Sequence, residues 1–583
     1  MCGIAGVVNA SGVSYHDVKS MISSIQYRGV NELSVEEVGP HFMAHARLSI
    51  VDVAHGHQPM VNEDGTVSVV FNGEIYNAVE LREELIKKGH VFKSVCDTEV
   101  LVHLWEEEGE NMLKKLIGMF AFFVWDERQQ KGILARDRQG IKPCFIAEYR
   151  EGIAFCSEMK GILSLPNFPQ QLREESLLQV FRFNYALPPE TCFKNISHLP
   201  HGHYLLIEKG KRPIQKKYWE WPFFAPKKSS SIEEFSALMS DVTRIQMRFD
   251  VKGGMFFSGG VDSSVVASEL MPQWNKNHPL EGLSLSFQEN TFSEFSLAQE
   301  SAAHLGMNVS PVNISADMIP SLAEKVSHVS EQPHGDFSFF LFYVMSQQAH
   351  QDGKIVMFNG DGPDEALAGY VNSKMFSQQV DDQNDFEKSY YQKISYMQDQ
   401  DMKDLLSHDL IYNNRDGYEM FQEKIMPWKS LSTVEQRSGF ECDILLAGNN
   451  LVKTDRMGAF WSIEGRSPFL DHRVSELFVR LPWEEKTKEG IGKYFLKKYA
   501  LKSFPKELIF RNKSMPTMPI GEWLKGPLYG WAHELLSSLK TDIVNAKAAL
   551  KYLDSHKKGE QNHTRQLRTL LMFAVWEKVF FKR

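Results

Sequence analysis

Met255-Phe256-Phe257-Ser258-Gly259-Gly260-Val261-Asp262-Ser263-Ser264 decides the fold of the second half of this 583-residue chain. Met255 to Phe257 reads as a short buried strand, after which the chain passes through Ser-Gly-Gly and opens a helix. Backbone N–H groups and hydroxyls at such a helix start favour phosphate. The lysine that a Walker A loop needs after its second glycine is absent, which argues against a kinase or motor-type ATPase.

Outward from this stretch the same grammar repeats. Ile232, Phe235, Leu238, Met239, Val242, Ile245 and Phe249 recur at helical spacing upstream. Downstream, Gly282 to Phe287 precedes a helix near Phe295 to Leu305, and Lys354 to Phe358 leads into Asn359-Gly360-Asp361-Gly362-Pro363-Asp364-Glu365. Strand, loop and helix in alternation predict a parallel α/β sheet with ligands at the carboxyl ends of its strands, so the acidic loop should share a sheet edge with the Ser-Gly-Gly loop. The polar stretch Gln378 to Asp404 reads as a surface insertion or helix pair.

The first 210 residues read differently, as short β-rich runs such as Val67 to Phe71 and Ile133 to Ala135 among helical patterns at Val79 to Lys88 and Thr98 to Glu108. This predicts a mixed α+β domain over 1–210. The aperiodic WEWPFFAPKKSSS, Trp219 to Ser231, marks a linker over 211–231, and 232–583 is the second domain. Two domains also suit the length, because one core stops growing at roughly 250 to 300 residues.

Composition narrows the class. A 43% hydrophobic, 24% charged chain with net charge -9 is that of an ordinary soluble protein with no electrostatic reason to bind nucleic acid. No apolar run reaches the roughly 18 to 20 residues of a membrane span, and the amino terminus lacks the pattern of a signal peptide, so a cytoplasmic location is expected. The six cysteines, at 2, 96, 144, 156, 192 and 442, form no CxxC pair and read as reduced thiols.

Cys2 stands apart by position. With Met1 removed it would carry a thiol and a free α-amine on one residue, and an amine titrating near 7.7 to 8.0 can take the proton of a thiol near 8.5 at little cost. It precedes an apolar strand, Gly3-Ile4-Ala5-Gly6-Val7-Val8. Downstream lie Arg47-Leu48-Ser49-Ile50-Val51-Asp52, Phe71-Asn72-Gly73-Glu74-Ile75-Tyr76-Asn77 and Cys96-Asp97-Thr98-Glu99. Together these blocks resemble the class II glutamine amidotransferases, N-terminal-nucleophile hydrolases with an αββα sandwich. The resemblance implies that Cys2 attacks the carboxamide of glutamine. Asn72 and the N–H of Gly73 would then stabilise the oxyanion, by about 3 kcal/mol per donor. It also implies that Arg47 grips the α-carboxylate of glutamine, and Glu74 with Asp97 its α-ammonium.

Ser-Gly-Gly-Val-Asp-Ser-Ser resembles in turn the pyrophosphate loop of ATP pyrophosphatases, which split ATP between its α- and β-phosphates to make an acyl adenylate. That resemblance assigns ATP binding to Ser258, Gly259, Gly260, Asp262, Ser263, Ser264 and Gly360, and magnesium to Asp262 and Asp364. Glu365 is expected near the acceptor carboxylate, in proton transfer or acceptor binding. Lys493, in Gly492-Lys493-Tyr494-Phe495-Leu496, is expected to neutralise charge on pyrophosphate and the tetrahedral intermediate. Leu451 to Arg456 and Glu464 to Asp471 resemble two further synthetase blocks.

From Met1 to about Trp523 the chain is thus similar to the asparagine synthetase family. The resemblance implies a glutaminase feeding ammonia to an ATP-dependent ligase, with glutamine, ATP and an acid, foremost aspartate, as substrates, and pairing as a homodimer. The other reading is the same mechanism acting on a sugar acid, a peptide or a specialised metabolite. It is kept open by departures from the family pattern: Val30-Asn31 for Pro-Asp, Asn359 for serine, Leu367-Ala368 for Phe-Gly and Gln139 for Phe. Retention of Cys2, Arg47, Asn72 and Asp97 argues against the family's lactam-closing branch. The acidic balance weighs against a tRNA-modifying enzyme, and complete chemistry at both sites against a scaffold.

Overall fold

The computed structural model describes residues 1–274, 276–287, 295–370, 383–511 and 518–581. Its first twelve strands in chain order are β1 (Gly3–Val8), β2 (Glu32–Val38), β3 (His41–Arg47), β4 (Met60–Val61), β5 (Val67–Ile75), β6 (Gly118–Asp126), β7 (Lys131–Arg136), β8 (Phe145–Tyr149), β9 (Gly152–Cys156), β10 (Ser197–His198), β11 (His203–Glu208) and β12 (Ile214–Lys217). They form two six-stranded antiparallel sheets, in the orders β10-β8-β9-β1-β3-β2 and β12-β11-β7-β6-β5-β4.

Side-chain alternation explains why the sheets stack. Along β6, Ala121, Phe123 and Trp125 point to the other sheet and meet Ile4, Val8, Met43 and Phe155. Phe120, Phe122 and Val124 point the other way, into a core with Leu101 and Trp105 of the helix Glu99–Glu108. A strand buried on both faces loses the polar half of its alternation, hence the near-continuous apolar run 118–126. On the outer face of the first sheet the helix Tyr15–Ser23 buries Val18, Met21 and Ile22, which completes four layers, helix, sheet, sheet, helix.

Pairing of β12 with β11 carries the second sheet to Lys217, so it reaches into the segment read as a linker over 211–231. The rest of that segment is not a free tether, because Trp221 and Phe223 are buried against Phe235 and Trp428 of the second domain.

The second domain holds β13 (Gly253–Phe256), β14 (Glu281–Phe287), β15 (Asn308–Ile314), β16 (Val356–Phe358) and β17 (Glu464–Arg466), all parallel, in the order β15-β14-β13-β16-β17. The chain runs outward from β13 through β14 to β15, then returns to β16 on the other flank of β13. The order therefore reverses between β13 and β16, where the loops leaving neighbouring strands part and open a crevice. Of the polar stretch Gln378 to Asp404, residues 378–382 lie outside the described residues, and the rest includes two helices, Gln383–Ile394 and Asp399–Leu405. Among the described residues no helix is long and apolar enough to cross a membrane.

The domains share a buried seam. Arg28 Nη1 donates to Glu158 Oε1 at 2.8 Å and to Asp455 Oδ2 at 2.9 Å, while Arg456 reaches Glu158 at 3.0 Å and Glu331 at 2.9 Å. Arg28 and Asp455 stand 427 positions apart. Removing one member of such a water-free group strands its partner's charge, which typically costs about 3 to 5 kcal/mol. At the chain's end, Phe573 and Trp576 of the helix Thr564–Phe581 pack on Phe181 and Phe193 of the first domain.

Candidate functional site

Cys2 stands at the mouth of β1. The Leu48 N–H points at its Sγ at 3.4 Å, and Arg28 Nε donates to its carbonyl at 2.9 Å. Burial pushes the thiol up, while the neighbouring amino terminus and the Leu48 N–H pull it down. Met1 is itself buried between the domains, and desolvation lowers its amino group to about 6. A Cβ on Gly458 of the second domain would lie 3.2 Å from the Met1 Cε.

β5 crosses from the facing sheet. His45 Nε2 meets the Phe71 carbonyl at 3.1 Å, and burial holds that ring neutral with a pKa near 3, so it is the donor. Next in β5 is Asn72, fully buried, with both Oδ1 and Nδ2 lacking a hydrogen-bond partner. An orphaned buried amide costs about 1 to 3 kcal/mol and marks a place where a ligand should dock. Gly73 follows because nothing larger fits: a Cβ there would fall 2.0 Å from the Met119 carbonyl oxygen.

Arg47 ends β3. Its guanidinium donates to the carbonyls of Asp52 at 2.8 Å and Val53 at 3.0 Å. A Cβ on Gly56 would lie 2.3 Å from Arg47 Nη2 and 3.1 Å from Cys96 Sγ, so this glycine lets the arginine meet the Cys96-Asp97 turn. Asp97 Oδ2 accepts the Ile75 N–H at 2.8 Å, and burial raises its carboxyl to about 6.

Glu74 occupies a setting its sequence did not foretell. Arg466 of β17 reaches Glu74 Oε1 at 2.9 Å and also donates to Glu464 Oε1 at 2.9 Å, so Glu74 is tied to the second domain. Burial nonetheless drives its carboxyl upward. A carboxylate already clasped by arginine is less open to a substrate ammonium than Asp97, whose Oδ2 is held by a backbone N–H.

The second constellation sits at the switch point. Ser258, Gly259 and Gly260 leave β13 and cap the helix Val261–Leu270, whose first N–H groups have no side-chain cap. Ser258 Oγ and Ser263 Oγ lie 3.2 Å apart, and Ser258 Oγ accepts the Gly260 N–H at 3.3 Å. Gly259 has φ +68°, and a Cβ there would fall 2.8 Å from the Ala298 Cα. Ser264 is buried, its hydroxyl without a partner. Gly360, in the loop leaving β16, comes so close that its Cβ would lie 2.9 Å from the Ser263 nitrogen.

Lys493 closes the site. Its Nζ contacts Asp262 Oδ2 at 2.5 Å and Asp364 Oδ1 at 2.7 Å, and the two carboxylates hold the buried ammonium well above its ordinary pKa. Its backbone is left-handed, φ +56°, and the Lys493 N–H donates to Leu367 O at 2.9 Å. Two hard carboxylates converging on one cation beside a phosphate loop fit magnesium. Glu365 lies next to them, 2% exposed, its Oε1 accepting from Tyr370 Oη and Asn450 Nδ2, both at 2.6 Å. Its Oε2 has no hydrogen-bond partner, and burial, helped by Asp364, lifts the carboxyl to about 7.

Three of the departures from the family pattern find local partners. Asn31 Oδ1 accepts the Ser49 N–H at 2.9 Å, Asn359 Oδ1 accepts from Asp361 N–H and Ser467 Oγ, and Gln139 donates across the seam to Ser475 Oγ at 2.5 Å. Sequence reading missed Arg466, Asp455, Tyr370 and Asn450 as site neighbours. Arg466 and Asp455 lay inside quoted motifs, so only a partner across the fold could give them roles.

The comparisons agree with this geometry. A family profile described as a glutamine amidotransferase domain matches residues 1–219, and one described as asparagine synthase matches 234–578. "Asparagine synthetase [glutamine-hydrolyzing] 1" of Bacillus subtilis is 29% identical, covering 99% of this chain and 97% of its own. "Putative asparagine synthetase [glutamine-hydrolyzing]" of Mycobacterium tuberculosis is 28% identical, over 100% and 97%. "Amidase chry2" of Gibberella zeae is 24% identical, over 99% and 98%. With more than half of its length matched by one profile and most of the remainder by the other, the chain belongs to the asparagine synthase family, as an ATP-dependent ligase with a glutamine amidotransferase domain.

Proposed function

We propose that the chain amidates the side-chain carboxylate of aspartate, taking nitrogen from glutamine and energy from ATP, in the cytoplasm. The observation that carries this reading is an unsatisfied Asn72 amide in the first domain together with the Lys493, Asp262 and Asp364 cluster at the switch point of the second sheet.

With Met1 removed, the Cys2 amine takes the thiol proton and Sγ attacks the glutamine carboxamide carbon. Asn72 Nδ2 and the Gly73 N–H donate to the oxygen as it gains charge. Collapse expels ammonia with the proton held by the amine, and water hydrolyses the thioester to glutamate. Arg47 and Asp97 orient the amino-acid end of glutamine. At the second site an aspartate carboxylate oxygen attacks the α-phosphorus of ATP and pyrophosphate leaves. The N–H groups and hydroxyls of Ser258 to Ser264, with Gly360 against them, cradle the phosphates. Asp262 and Asp364 would hold magnesium, which would supply charge neutralisation on phosphate oxygens. Lys493 offsets the remaining negative charge. Ammonia then attacks the acyl carbon, Glu365 accepts a proton, and AMP departs.

A second reading replaces aspartate by another carboxylic acid. Leu367 and Ala368, beside Glu365, favour it, since they replace family residues where the acceptor would lie. The test supplies glutamine, ATP and magnesium with a panel of acids and records pyrophosphate and amide. Pyrophosphate and asparagine from aspartate are expected. Turnover of another acid with none from aspartate would overturn the first reading in favour of the second.

A further inference from the structure

Away from both reaction centres, Glu63, His90, His103 and Glu106 turn one donor atom each toward a common point, all within 4.8 Å of one another. Among the described residues no other group of three or more histidine, cysteine, aspartate or glutamate side chains does so. They come from three places in the amidotransferase domain. Glu63 follows β4, His90 follows the helix Ala78–Lys87, and His103 and Glu106 stand one turn apart on the helix Glu99–Glu108.

His90 Nδ1 lies 3.4 Å from Glu63 Oε1 and 3.8 Å from Glu106 Oε2. His103 Nδ1 lies 3.3 Å from Glu63 Oε2 and 3.7 Å from the same Glu106 oxygen. A tetrahedral ion with bonds of about 2.1 Å has donors separated by about 3.4 Å, close to this spacing.

Two of the four side chains also present unsatisfied atoms, while Glu63 Oε1 is positioned by the Val91 N–H at 3.0 Å. His103 is fully buried, and neither ring nitrogen makes a hydrogen bond, nor does the buried Glu106 Oε2. The other oxygen of Glu106 is held outside by Arg128 at 2.8 Å and Asn62 at 3.0 Å, which aims Oε2 inward. Each histidine presents its far nitrogen to a further carboxylate, His90 Nε2 to Glu107 at 3.2 Å and His103 Nε2 to Glu99 at 3.8 Å. At His90 the hydrogen-bonded carboxylate behind the ring fixes its tautomer and orients Nδ1 toward a metal. Phe92 walls the His103 ring at 4.4 Å, and Glu63, with 31% of its side chain exposed, leaves one side open for entry.

We propose that these four side chains form a structural site for a divalent transition metal of the zinc class. Two imidazoles with two carboxylates suit zinc better than magnesium or calcium, which prefer oxygen alone. Such an ion clamps the helix Glu99–Glu108 to the two preceding segments. That helix begins two residues after Asp97, with Thr98 as its N-cap, so the clamp steadies the turn that carries Asp97.

The full chain, stripped with chelating resin and then given Zn2+ or Co2+, tests this by elemental analysis, thermal melting and Co2+ absorption. One tightly held ion per chain, a higher melting temperature with Zn2+ and a tetrahedral Co2+ spectrum are expected. His90→Gln and Glu63→Gln, on the more open side, should fold yet weaken Zn2+ binding about 100-fold. Asp364→Asn should leave it unchanged. Failure of the wild-type chain to hold zinc after gel filtration would overturn the proposal. So would retention of the ion by both cluster variants, or its loss from Asp364→Asn.

Discussion

The two reaction centres hold their polarity in opposite ways before substrate arrives. In the amidotransferase domain the central group is neutral and unsatisfied, since the amide of Asn72 lies buried without a partner. In the ligase domain the central groups are charged and paired, with Lys493 clasped by Asp262 and Asp364. A neutral orphan costs about 1 to 3 kcal/mol, which a fold can bear, and under the proposed mechanism leaves a donor for the charge that develops. An isolated buried charge costs far more, so the ligase site supplies its own counter-ion. Under the proposed mechanism the first site would be built in advance, while the second would exchange contacts around Lys493 when nucleotide and cation enter.

The sharpest way to break this comparison is to silence one centre alone. Cys2→Ala is expected to lower glutamine-dependent amide formation on the order of 10⁴-fold or more, yet leave synthesis from added ammonium intact. Loss of both activities in a folded variant would show that the centres are not separable. Next in size is the seam, where Arg28→Met should destabilise the chain by about 3 to 5 kcal/mol by stranding Glu158 and Asp455. Denaturant unfolding followed by tryptophan fluorescence measures it, and a change under 1 kcal/mol would mean the pairs are solvated.

Asn72→Ala tests whether the orphaned amide is held for the oxyanion. A fall of about 10² to 10³ in the glutaminase kcat is expected, with ammonium-dependent pyrophosphate release unchanged. Should only KM move, the amide holds ground-state glutamine instead.

Glu365 sharpens the charged side of the comparison. Its folded pKa, about 7, lies above the ordinary 4.5, so the folded chain binds more protons between those values. Stability from this group is thus present below about pH 4.5 and declines as pH rises to about 7. Glu365→Gln should flatten that decline in melts across the window, and should remove an inflection near neutral pH from kcat at saturating ammonium. A wild-type slope in the variant would assign the titration elsewhere.

The smallest effect concerns Ala368, whose φ of +53° lies in the left-handed region. Ala368→Gly relieves that conformation and should stabilise the apo chain by about 1 kcal/mol, seen as a higher melting temperature. A lower melting temperature would mean that the methyl group packs usefully beside Glu365.

Much of this molecule was legible in its residues because the signals are local. Strand-loop-helix order around Ser258 foretold the parallel sheet, and the helical spacing from Ile232 foretold the helix Ile232–Gln246. The segment 211–231 hid a strand because β12, Ile214-Gln215-Lys216-Lys217, has a single apolar residue, and only pairing with β11 makes it a strand. Glu74, read as holding the α-ammonium of glutamine with Asp97, also forms an ion pair with Arg466 that arises from docking of β17 against the first domain.

By itself, the sequence determined most of the elements, the two domains and the chemical kinds of both centres, because periodicity and short motifs are written within a few residues. Tertiary structure alone decided which distant charges meet. Arg28 with Asp455, and His90 with His103, Glu63 and Glu106, acquire partners only when packed helices and sheets remove water between them, and no local pattern encodes that proximity.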